Sequence, residues 1–441
     1  KRNQKLILTR DRFGEKPLYY LFKNNTLYFA SEIKAFQHLK KNTKPNFELN
    51  YLVEGNDVVN SENTFLKDVK NLKGGFNLIV QNKRMLIKRW WNTNDYILEY
   101  QNLSKDKNQF FLDTFTDACK IRNYSEASRI CTVSGGLDSS TIFYRLNEFK
   151  KTKGIFLNFD NLNKSDIYYK NIIQKNKEII DQKILINKIE TEDIENTIYS
   201  CENTHGIHLG PYFLYKKIKD LGYKVSIDGH GCDELLGGYE NYKKRNNFAP
   251  FNIMNAYYKL KVNYLSSKNY IFNLNEKIFR KNLAYNGPQN SMLNRLLFED
   301  FHNRTLPILL QNFDRLSMAN SVEARSPFMD WRLVCFCFSL SDDQKINKIS
   351  KYILKQTMKK TLPSEILNRD KSGFVWYNEI FKQEKIKNFF IDLVSDKQFK
   401  EIFTQKKTNK IKDKLINSNF DNSFKYLVKD CLIYILYKKF K

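Results

Sequence analysis

The sequence predicts an α/β protein built on a doubly wound parallel sheet, and three observations carry that prediction. Short β-branched runs alternate with helical patterns between residues 129 and 228, which is typical of strands joined by crossover helices. A Gly-Gly turn follows the first of these strands, and a second glycine-rich turn follows the last. Strand-like runs come before residue 95, and mainly helical patterns come after residue 240. We therefore predict a β-rich N-terminal part, a central sheet and a helical C-terminal part.

The composition predicts a globular protein of two or more domains. Its 441 residues are 41% hydrophobic and 15% aromatic. No apolar run has the length of a membrane span, and no signal peptide is recognisable, so we expect no membrane association. Seven cysteines without metal-binding spacing suggest free thiols in a reducing compartment, and hence a cytoplasmic protein. The net charge of +26 is spread along the chain rather than gathered in a stripe, so we do not expect a nucleic-acid partner.

The N-terminal part is predicted to be a small β-rich unit. Its strand-like runs lie at residues 5–9, 26–30, 77–80 and 85–87. Residues 92–110 are polar and irregular and are interpreted as a linker. The sequence is therefore divided into domains at residues 1–95 and 110–441. Because the first residue is Lys1 rather than Met, we expect the chain to be a fragment of a longer protein.

The central sheet is predicted from four strands with helices between them. The strands are placed at residues 129–133, 154–159, 183–186 and 224–228. The helices are placed at residues 110–121, 141–146, 167–180, 192–202 and 212–221. Ligands of such sheets bind outside the carboxyl ends of the strands, so the turns after residues 133 and 228 are the candidate sites.

The turn after the first strand has the composition of a phosphate-binding loop. It consists of Ser134, Gly135, Gly136, Leu137, Asp138, Ser139 and Ser140. Two glycines allow close backbone approach, the amides and serine hydroxyls suit phosphate oxygens, and Asp138 offers an oxygen ligand for Mg²⁺. An ordinary glycine turn with Asp138 or Ser139 as a helix cap is the alternative. The whole motif between a strand and a helix favours phosphate binding, although it lacks the Gly-Lys-Ser/Thr of a Walker loop.

The turn after the last strand brings more carboxylates to the same sheet edge. Residues 228–239 hold glycines at 229 and 231, followed by Asp233 and Glu234. Carboxylates from two strand ends can share a Mg²⁺ that bridges the phosphates of ATP. A glycine-rich turn with an acidic helix cap is the alternative here.

Four motifs in order resemble the asparagine synthase (glutamine-hydrolysing) family. The loop 134–140 resembles the pyrophosphate loop of N-type ATP pyrophosphatases, and residues 228–239 match D-G-x-G-x-D-E-L-x-G-G-Y at every fixed position. Residues 314–330 resemble the signature D-R-x-S-M-A-x-S-x-E-x-R-x-P-F-x-D, and residues 10–20 with 30–35 resemble the end of the family's glutaminase domain. The resemblance implies a synthetase domain of ATP pyrophosphatase type (adenine nucleotide alpha hydrolase-like). It further implies a partial glutaminase (Ntn-type) remnant, without the catalytic half, which is not expected to hydrolyse glutamine.

The resemblance also implies roles for individual residues. Asp138 and Asp233 are the expected metal ligands, and Lys351, by its match to T-K-Y-x-L-R, is expected to reach the reacting phosphate. The expected catalytic residues are Lys351, Asp233 and His230. The expected adenylate pocket consists of Val133, Leu157, Asp228 and Gly229. His230 departs from the family's glutamine or glutamate, and three interpretations stay open: it hydrogen-bonds or exchanges a proton near neutral pH, the substrate differs, or the activity is lost.

The charges within residues 314–330 leave two interpretations open. They are Asp314, Arg315, Glu323, Arg325 and Asp330. Either they form a buried salt-bridge network that shapes the pocket floor or they contact a ligand directly.

The reaction implied by the resemblance uses ATP and Mg²⁺ as cofactors. ATP adenylates the β-carboxylate of aspartate with release of pyrophosphate, and ammonia, from glutamine or free, displaces AMP to give asparagine. The sequence leaves open whether the protein forms a homodimer. The alternatives are an amide-forming synthetase for another carboxylate (a sugar acid or peptide), an RNA-modifying protein of the ATP pyrophosphatase type, and a non-catalytic basic protein that keeps the fold.

Overall fold

The computed structural model describes residues 5–39, 45, 62–82, 84–101, 106–159, 164–175, 177–240, 242, 285–289, 291–369, 377–417, 420 and 422–441. Most of the segment 240–303, which the sequence predicts to be helical, lies outside these residues. No helix in the described part of the chain is long and apolar enough to cross a membrane.

The strands are β1 Lys5–Thr9, β2 Tyr19–Lys23, β3 Thr26–Ala30, β4 Lys70–Asn71, β5 Phe76–Gln81, β6 Arg84–Arg89, β7 Arg129–Thr132, β8 Gly154–Phe159, β9 Ile179–Ile184, β10 Val225–Ile227, β11 Glu323–Arg325, β12 Ile346–Asn347 and β13 Ile349–Ser350. The α-helices are α1 Asn94–Gln101, α2 Lys107–Asn123, α3 Leu137–Phe149, α4 Lys164–Gln174, α5 Thr191–Cys201, α6 Leu209–Asp220, α7 Cys232–Leu236, α8 Met292–His302, α9 Thr305–Ala319, α10 Trp331–Ser339, α11 Asp342–Lys345, α12 Tyr352–Thr357, α13 Ser364–Leu367, α14 Tyr377–Ile380, α15 Glu384–Ser395, α16 Lys397–Ile402, α17 Gln405–Ile416 and α18 Asn422–Phe440. Short 3₁₀ helices span Ile33–Leu39, Ile186–Lys188 and Pro327–Met329.

The central sheet is parallel, as predicted. Its order among the described residues is β11-β10-β7-β8-β9, and each neighbouring pair runs parallel. The chain builds outward from β7 to β8 and β9 on one side, and then adds β10 and β11 on the other. The strand order therefore reverses between β7 and β10, and ligands of open α/β sheets bind at that switch point.

Helices cover both faces of this sheet. Along β8, Phe156 packs into the cluster that includes Phe111 and Phe115 of α2. Leu157 and Phe159 point the other way, into a cluster with the C-terminal helices. Because side chains alternate along a strand, a strand buried on both faces needs apolar residues at successive positions, and β8 has them.

The N-terminal unit consists of two small antiparallel sheets among its described residues. Their orders are β1-β5-β6 and β3-β2-β4. They pack against each other through Leu8, Tyr20, Leu72 and Leu78. The unit is joined to the larger part of the chain by an ion pair of 2.7 Å between Lys16 and Asp314.

Several element predictions were wrong in detail. The third strand of the central sheet lies at Ile179–Ile184 rather than 183–186, and the helix before it ends at Gln174 rather than near 180. The spacing of the isoleucines there fits a helix and a strand equally well, so periodicity alone misplaced the boundary. The predicted linker 92–110 contains helix α1, which buries Ile97 and Tyr100 despite its polar composition.

Candidate active site

The phosphate loop connects the central strand β7 to helix α3. Helix α3 begins at Leu137 with Gly136 as its N-cap, and no side chain caps it. The structure therefore does not use Asp138 or Ser139 as the helix cap, and the first amides of α3 keep their donor capacity for a ligand. Gly135 has φ +72°, and a Cβ there would lie 2.9 Å from the carbonyl oxygen of Asp166. Only glycine meets both requirements at this position.

The serines of the loop are in different settings. The hydroxyls of Ser134 and Ser139 lie 3.1 Å apart, and the Ser134 amide donates to Ser139 Oγ at 3.0 Å. Ser140 is fully buried, and its Oγ has no hydrogen-bond partner among the described residues. Ser134 and Ser139 thus hold the turn together from within, and their predicted contacts with phosphate stay a prediction.

Lys351 connects the two glycine-rich stretches. Its Nζ lies 2.6 Å from both carboxylate oxygens of Asp138 and 2.6 Å from Oδ1 of Asp233. The side chain of Lys351 is buried, which by itself lowers its pKa, but the two carboxylates outweigh burial and hold that pKa well above its usual value. The ammonium is therefore charged at neutral pH. The structure brings together Asp138, Asp233 and Lys351, which lie far apart in the sequence.

The local backbone explains how Lys351 reaches this position. Strands β12 and β13 form a short hairpin that ends immediately before Lys351, which has φ +56°. Its amide donates to the carbonyl oxygen of Leu236 at 3.2 Å, so the turn is fastened to the end of α7. Gly238 lies against the same side chains, because a Cβ there would be 1.8 Å from Asp233 Oδ1 and 2.4 Å from Lys351 Cε.

Asp228 is held in one orientation by three hydroxyl groups. Oδ1 accepts from Thr132 Oγ1 at 2.7 Å and Ser226 Oγ at 2.6 Å, and Oδ2 accepts from Tyr215 at 2.6 Å. Because its carboxylate is engaged by protein donors, its placement points to a role in fixing the strand end. Gly229 follows Asp228 in the sequence. A Cβ added at Gly229 would lie 3.4 Å from the Cβ of Asp138.

The remaining predicted pocket residues lie around these strand ends. Val133 and Leu157 are buried, and Val133 donates its amide to Ile155 of β8 at 2.9 Å. His230 lies beside Asp228, with 3.8 Å between Nε2 and Oδ2, and its ring centroid is 4.2 Å from that of Phe313. Burial lowers the pKa of His230, with Asp228 opposing that effect. Its Nε2 is buried and has no hydrogen-bond partner among the described residues.

The charged segment 314–330 forms ion pairs with protein groups. Arg315 is buried and pairs with Glu202 at 2.9 Å, and its Nη1 donates to the carbonyl of Ser31 at 2.5 Å. Glu202 also accepts the amides of Ile33 and Lys34, at 2.8 and 2.7 Å. These contacts support the interpretation of the segment as a buried network, in which Arg315 and Glu202 of the larger part of the chain bind backbone groups of the N-terminal unit.

The other charges of the segment are also paired. Arg325 binds Glu323 at 2.9 Å, and Arg332 binds Asp330 at 2.9 Å. Asp330 additionally caps helix α10 through the amide of Arg332. None of these contacts involves the phosphate loop.

Sequence reasoning assigned no role to Arg369, which the structure places at the phosphate loop. Its Nη1 donates to the carbonyl oxygen of Ser134 at 3.4 Å, and its guanidinium pairs with Asp166 of helix α4. The two ends of the Arg369–Ser134 contact are 235 residues apart.

The carboxylate pair fits a magnesium ion. Within the described residues, no group of three or more His, Cys, Asp or Glu side chains is placed to hold a metal by itself. Asp138 and Asp233 converge on a single cationic atom, Nζ of Lys351. Mg²⁺ is commonly held by one or two carboxylates together with substrate phosphates, so two convergent aspartates beside a phosphate loop suit it.

Two family models match the chain. The model of the family described as asparagine synthase matches residues 111–427. The chain belongs to the asparagine synthase family. The model described as glutamine amidotransferase domain matches residues 1–91. The predicted fold class, an ATP pyrophosphatase-type α/β synthetase domain after a β-rich glutaminase part, is confirmed.

Individual relatives are distant. The chain is 24% identical over 424 residues to asparagine synthetase [glutamine-hydrolyzing] 1 of Bacillus subtilis, covering 85% of this chain and 66% of that protein. It is 25% identical over 423 residues to asparagine synthetase [glutamine-hydrolyzing] 2 of the same organism, covering 86% of this chain and 55% of the relative. Amidase chry2 of Gibberella zeae is 23% identical over 464 residues, covering 84% of this chain and 67% of that protein. The chain thus spans 66% and 55% of the lengths of the two Bacillus relatives.

Proposed function

We propose that this chain makes asparagine from aspartate, ATP and ammonia, with release of AMP and pyrophosphate. The observation that carries the proposal is the position of Lys351 Nζ, 2.6 Å from Asp138 and Asp233 at the switch point beside the phosphate loop. A cation, two carboxylates and a helix N-terminus whose first amides face a glycine-rich loop are the groups needed to bind and cleave a nucleoside triphosphate. We assign this chemistry to a synthetase domain at residues 110–441, preceded by a glutaminase-type domain at residues 1–95.

In the first step a β-carboxylate oxygen of aspartate attacks the α-phosphorus of ATP. The bond between that phosphorus and the bridging oxygen of the β-phosphate breaks, and pyrophosphate leaves with the electron pair. The amide of Gly135 and the first amides of helix α3 bind the departing phosphates, and Lys351 stabilises the charge that builds on them. Mg²⁺, when held by Asp138 and Asp233, supplies further charge neutralisation.

In the second step ammonia attacks the acyl carbon of the adenylate. AMP leaves with one of the former carboxylate oxygens, and the attacking nitrogen loses a proton. His230 is the candidate acceptor, because burial lowers its pKa and keeps the imidazole neutral, with Nε2 available to accept. Asp228 orients the strand end that carries His230, since it is fixed by its three hydroxyl donors.

One observation favours a second candidate, an amide-forming synthetase for another carboxylate. His230 replaces the acidic or amide side chain expected from the family resemblance, and it packs on Phe313 in a partly apolar setting. The relative named amidase chry2 is about as similar to this chain in sequence as the asparagine synthetases are. An acceptor such as a sugar acid or peptide would use the same adenylation chemistry.

The location proposed for the protein is the cytoplasm. All seven cysteines are free and buried, as suits a reducing compartment.

The test is pyrophosphate release with ATP, Mg²⁺ and ammonium chloride, with and without aspartate. We expect aspartate-dependent release, with asparagine and AMP as products, and its loss in Asp138→Ala and Lys351→Ala. Release that ignores aspartate but requires another carboxylate would select the second candidate. Glu148→Gln provides a matched control, because this carboxylate pairs with Arg145 at the far end of α3.

A further inference from the structure

Arg369 is a buried cation that contacts the backbone of the phosphate loop. It follows helix α13, and its side chain is 6% exposed. Its guanidinium makes three kinds of contact: a hydrogen bond of 3.4 Å to the carbonyl of Ser134, an ion pair with Asp166, and a cation–π contact of 4.5 Å with the ring of Tyr169. The three partners lie on two different elements, the loop and helix α4. Arg369 therefore joins the C-terminal helical part to both.

Gly135 shows how closely these groups pack against the loop. A Cβ at Gly135 would lie 2.9 Å from the Asp166 carbonyl oxygen, 3.1 Å from Arg369 Nη1 and 3.2 Å from Tyr169 Cβ. All three distances are shorter than ordinary van der Waals contact. The side of the turn that a Cβ at Gly135 would face is thus occupied by Arg369, Asp166 and Tyr169.

The contact between Arg369 and the Ser134 carbonyl fixes the direction of the Gly135 amide N–H. The carbonyl of Ser134 and the amide N–H of Gly135 belong to the same peptide unit, which is planar and trans. When the carbonyl oxygen points at Arg369, the Gly135 N–H points in the opposite direction, away from the packed side. Without the guanidinium, this glycine-containing peptide has the freedom to rotate and to turn its carbonyl oxygen toward an incoming phosphate.

We propose that Arg369 is a positioning residue that fixes the Gly135 amide as a donor to the pyrophosphate part of ATP. Asp166 holds the guanidinium in place for this purpose, since a buried arginine needs a paired carboxylate. The inference rests on the proposed function, because it assigns a task within the same phosphate loop. It predicts that ligand affinity depends on Arg369 even when the acceptor carboxylate is absent.

The test measures binding of inorganic pyrophosphate with Mg²⁺ by calorimetry, with no acceptor present. In Arg369→Gln we expect affinity to fall about tenfold, the effect of one well-placed hydrogen bond to a charged ligand. Arg369→Lys keeps the charge but loses the fork that reaches Ser134 and Asp166 together, so it should recover only part of the affinity. Asp166→Asn should weaken binding, and the double variant should be no weaker than Arg369→Gln alone.

A matched control separates positioning from general stability. Arg145 is also buried and paired with a carboxylate, at 2.5 Å from Glu148, but on the far part of α3. Arg145→Gln should lower the melting temperature without changing pyrophosphate affinity. If Arg369→Gln does not fold, Asp166→Asn decides, because it leaves the arginine in place.

The outcomes are distinct. If the wild-type protein binds pyrophosphate and Arg369→Gln, or a folded Asp166→Asn, binds it with the same affinity, the inference is overturned and the proposed function is left standing. A wild-type protein that binds neither pyrophosphate nor ATP would overturn both.

Discussion

Replacement of Gly238 by alanine should disable the site through a single methyl group. The added Cβ would lie 1.8 Å from Asp233 Oδ1 and 2.4 Å from Lys351 Cε, whereas ordinary contact begins near 3.4 Å. The carboxylate must then retreat by about 1.6 Å, which breaks its 2.6 Å contact with Lys351. A displacement of about 1 Å at reacting groups costs roughly 100-fold in rate, so we expect kcat for pyrophosphate release to fall by about that factor or more. Overpacking should cost about 1–3 kcal/mol of unfolding free energy.

Gly222→Ala is the matched control for this change. Gly222 has φ +82°, but a Cβ there would meet nothing within 4 Å. The substitution should therefore cost about 1 kcal/mol through backbone strain and leave kcat unchanged. A folded Gly238→Ala protein with wild-type kcat would refute the reasoning, because the site would then tolerate separation of Asp233 from Lys351.

Three further predictions concern buried charges and a buried tyrosine. Glu202→Gln leaves the buried Arg315 with Glu32, at 4.0 Å, as its only anionic partner among the described residues and should lower the unfolding free energy by about 3 kcal/mol in urea titrations; a loss under 1 kcal/mol would contradict the network. Burial raises the pKa of Glu15 from its usual 4.5 to about 7, so between those pH values the unfolded chain has released a proton that the folded chain retains. Stability should fall over that range by up to about 3 kcal/mol, and Glu15→Gln should abolish the slope; equal slopes in both proteins would refute it. Tyr215→Phe removes a 2.6 Å donor to Asp228 and should cost about 1–3 kcal/mol while raising KM for ATP, so unchanged values would show that Asp228 needs no such support.

Local patterns in the sequence were sufficient for much of the fold. Strands β1, β3 and β8 lie at the predicted bounds, because each is a short apolar run between clear turns. Strand β2 was missed, since its first two residues were interpreted only as the end of a family motif and its last three were not assigned. Strand β11 was also missed, because three residues with two charges carry no strand signal and are held by pairing with β10.

The candidate site was predictable where its residues come directly after strands of the central sheet. Asp138 and Asp233 come after β7 and β10, and neighbouring parallel strands bring their carboxyl ends together. Arg369 was not predictable, because one arginine among 74 basic residues carries no signal until the chain folds back on the loop. The buried setting of His230 depends likewise on Phe313, which lies on a helix distant in the sequence.

The most direct test of the proposed mechanism follows one oxygen atom. The chain is supplied with ATP, Mg²⁺, ammonium chloride and aspartate labelled with ¹⁸O in its β-carboxylate, and the AMP is analysed by mass spectrometry. If the carboxylate attacks the α-phosphorus, each AMP formed with asparagine carries one ¹⁸O atom. Asparagine formed together with unlabelled AMP would contradict adenylation of the carboxylate at the Asp138, Asp233 and Lys351 site.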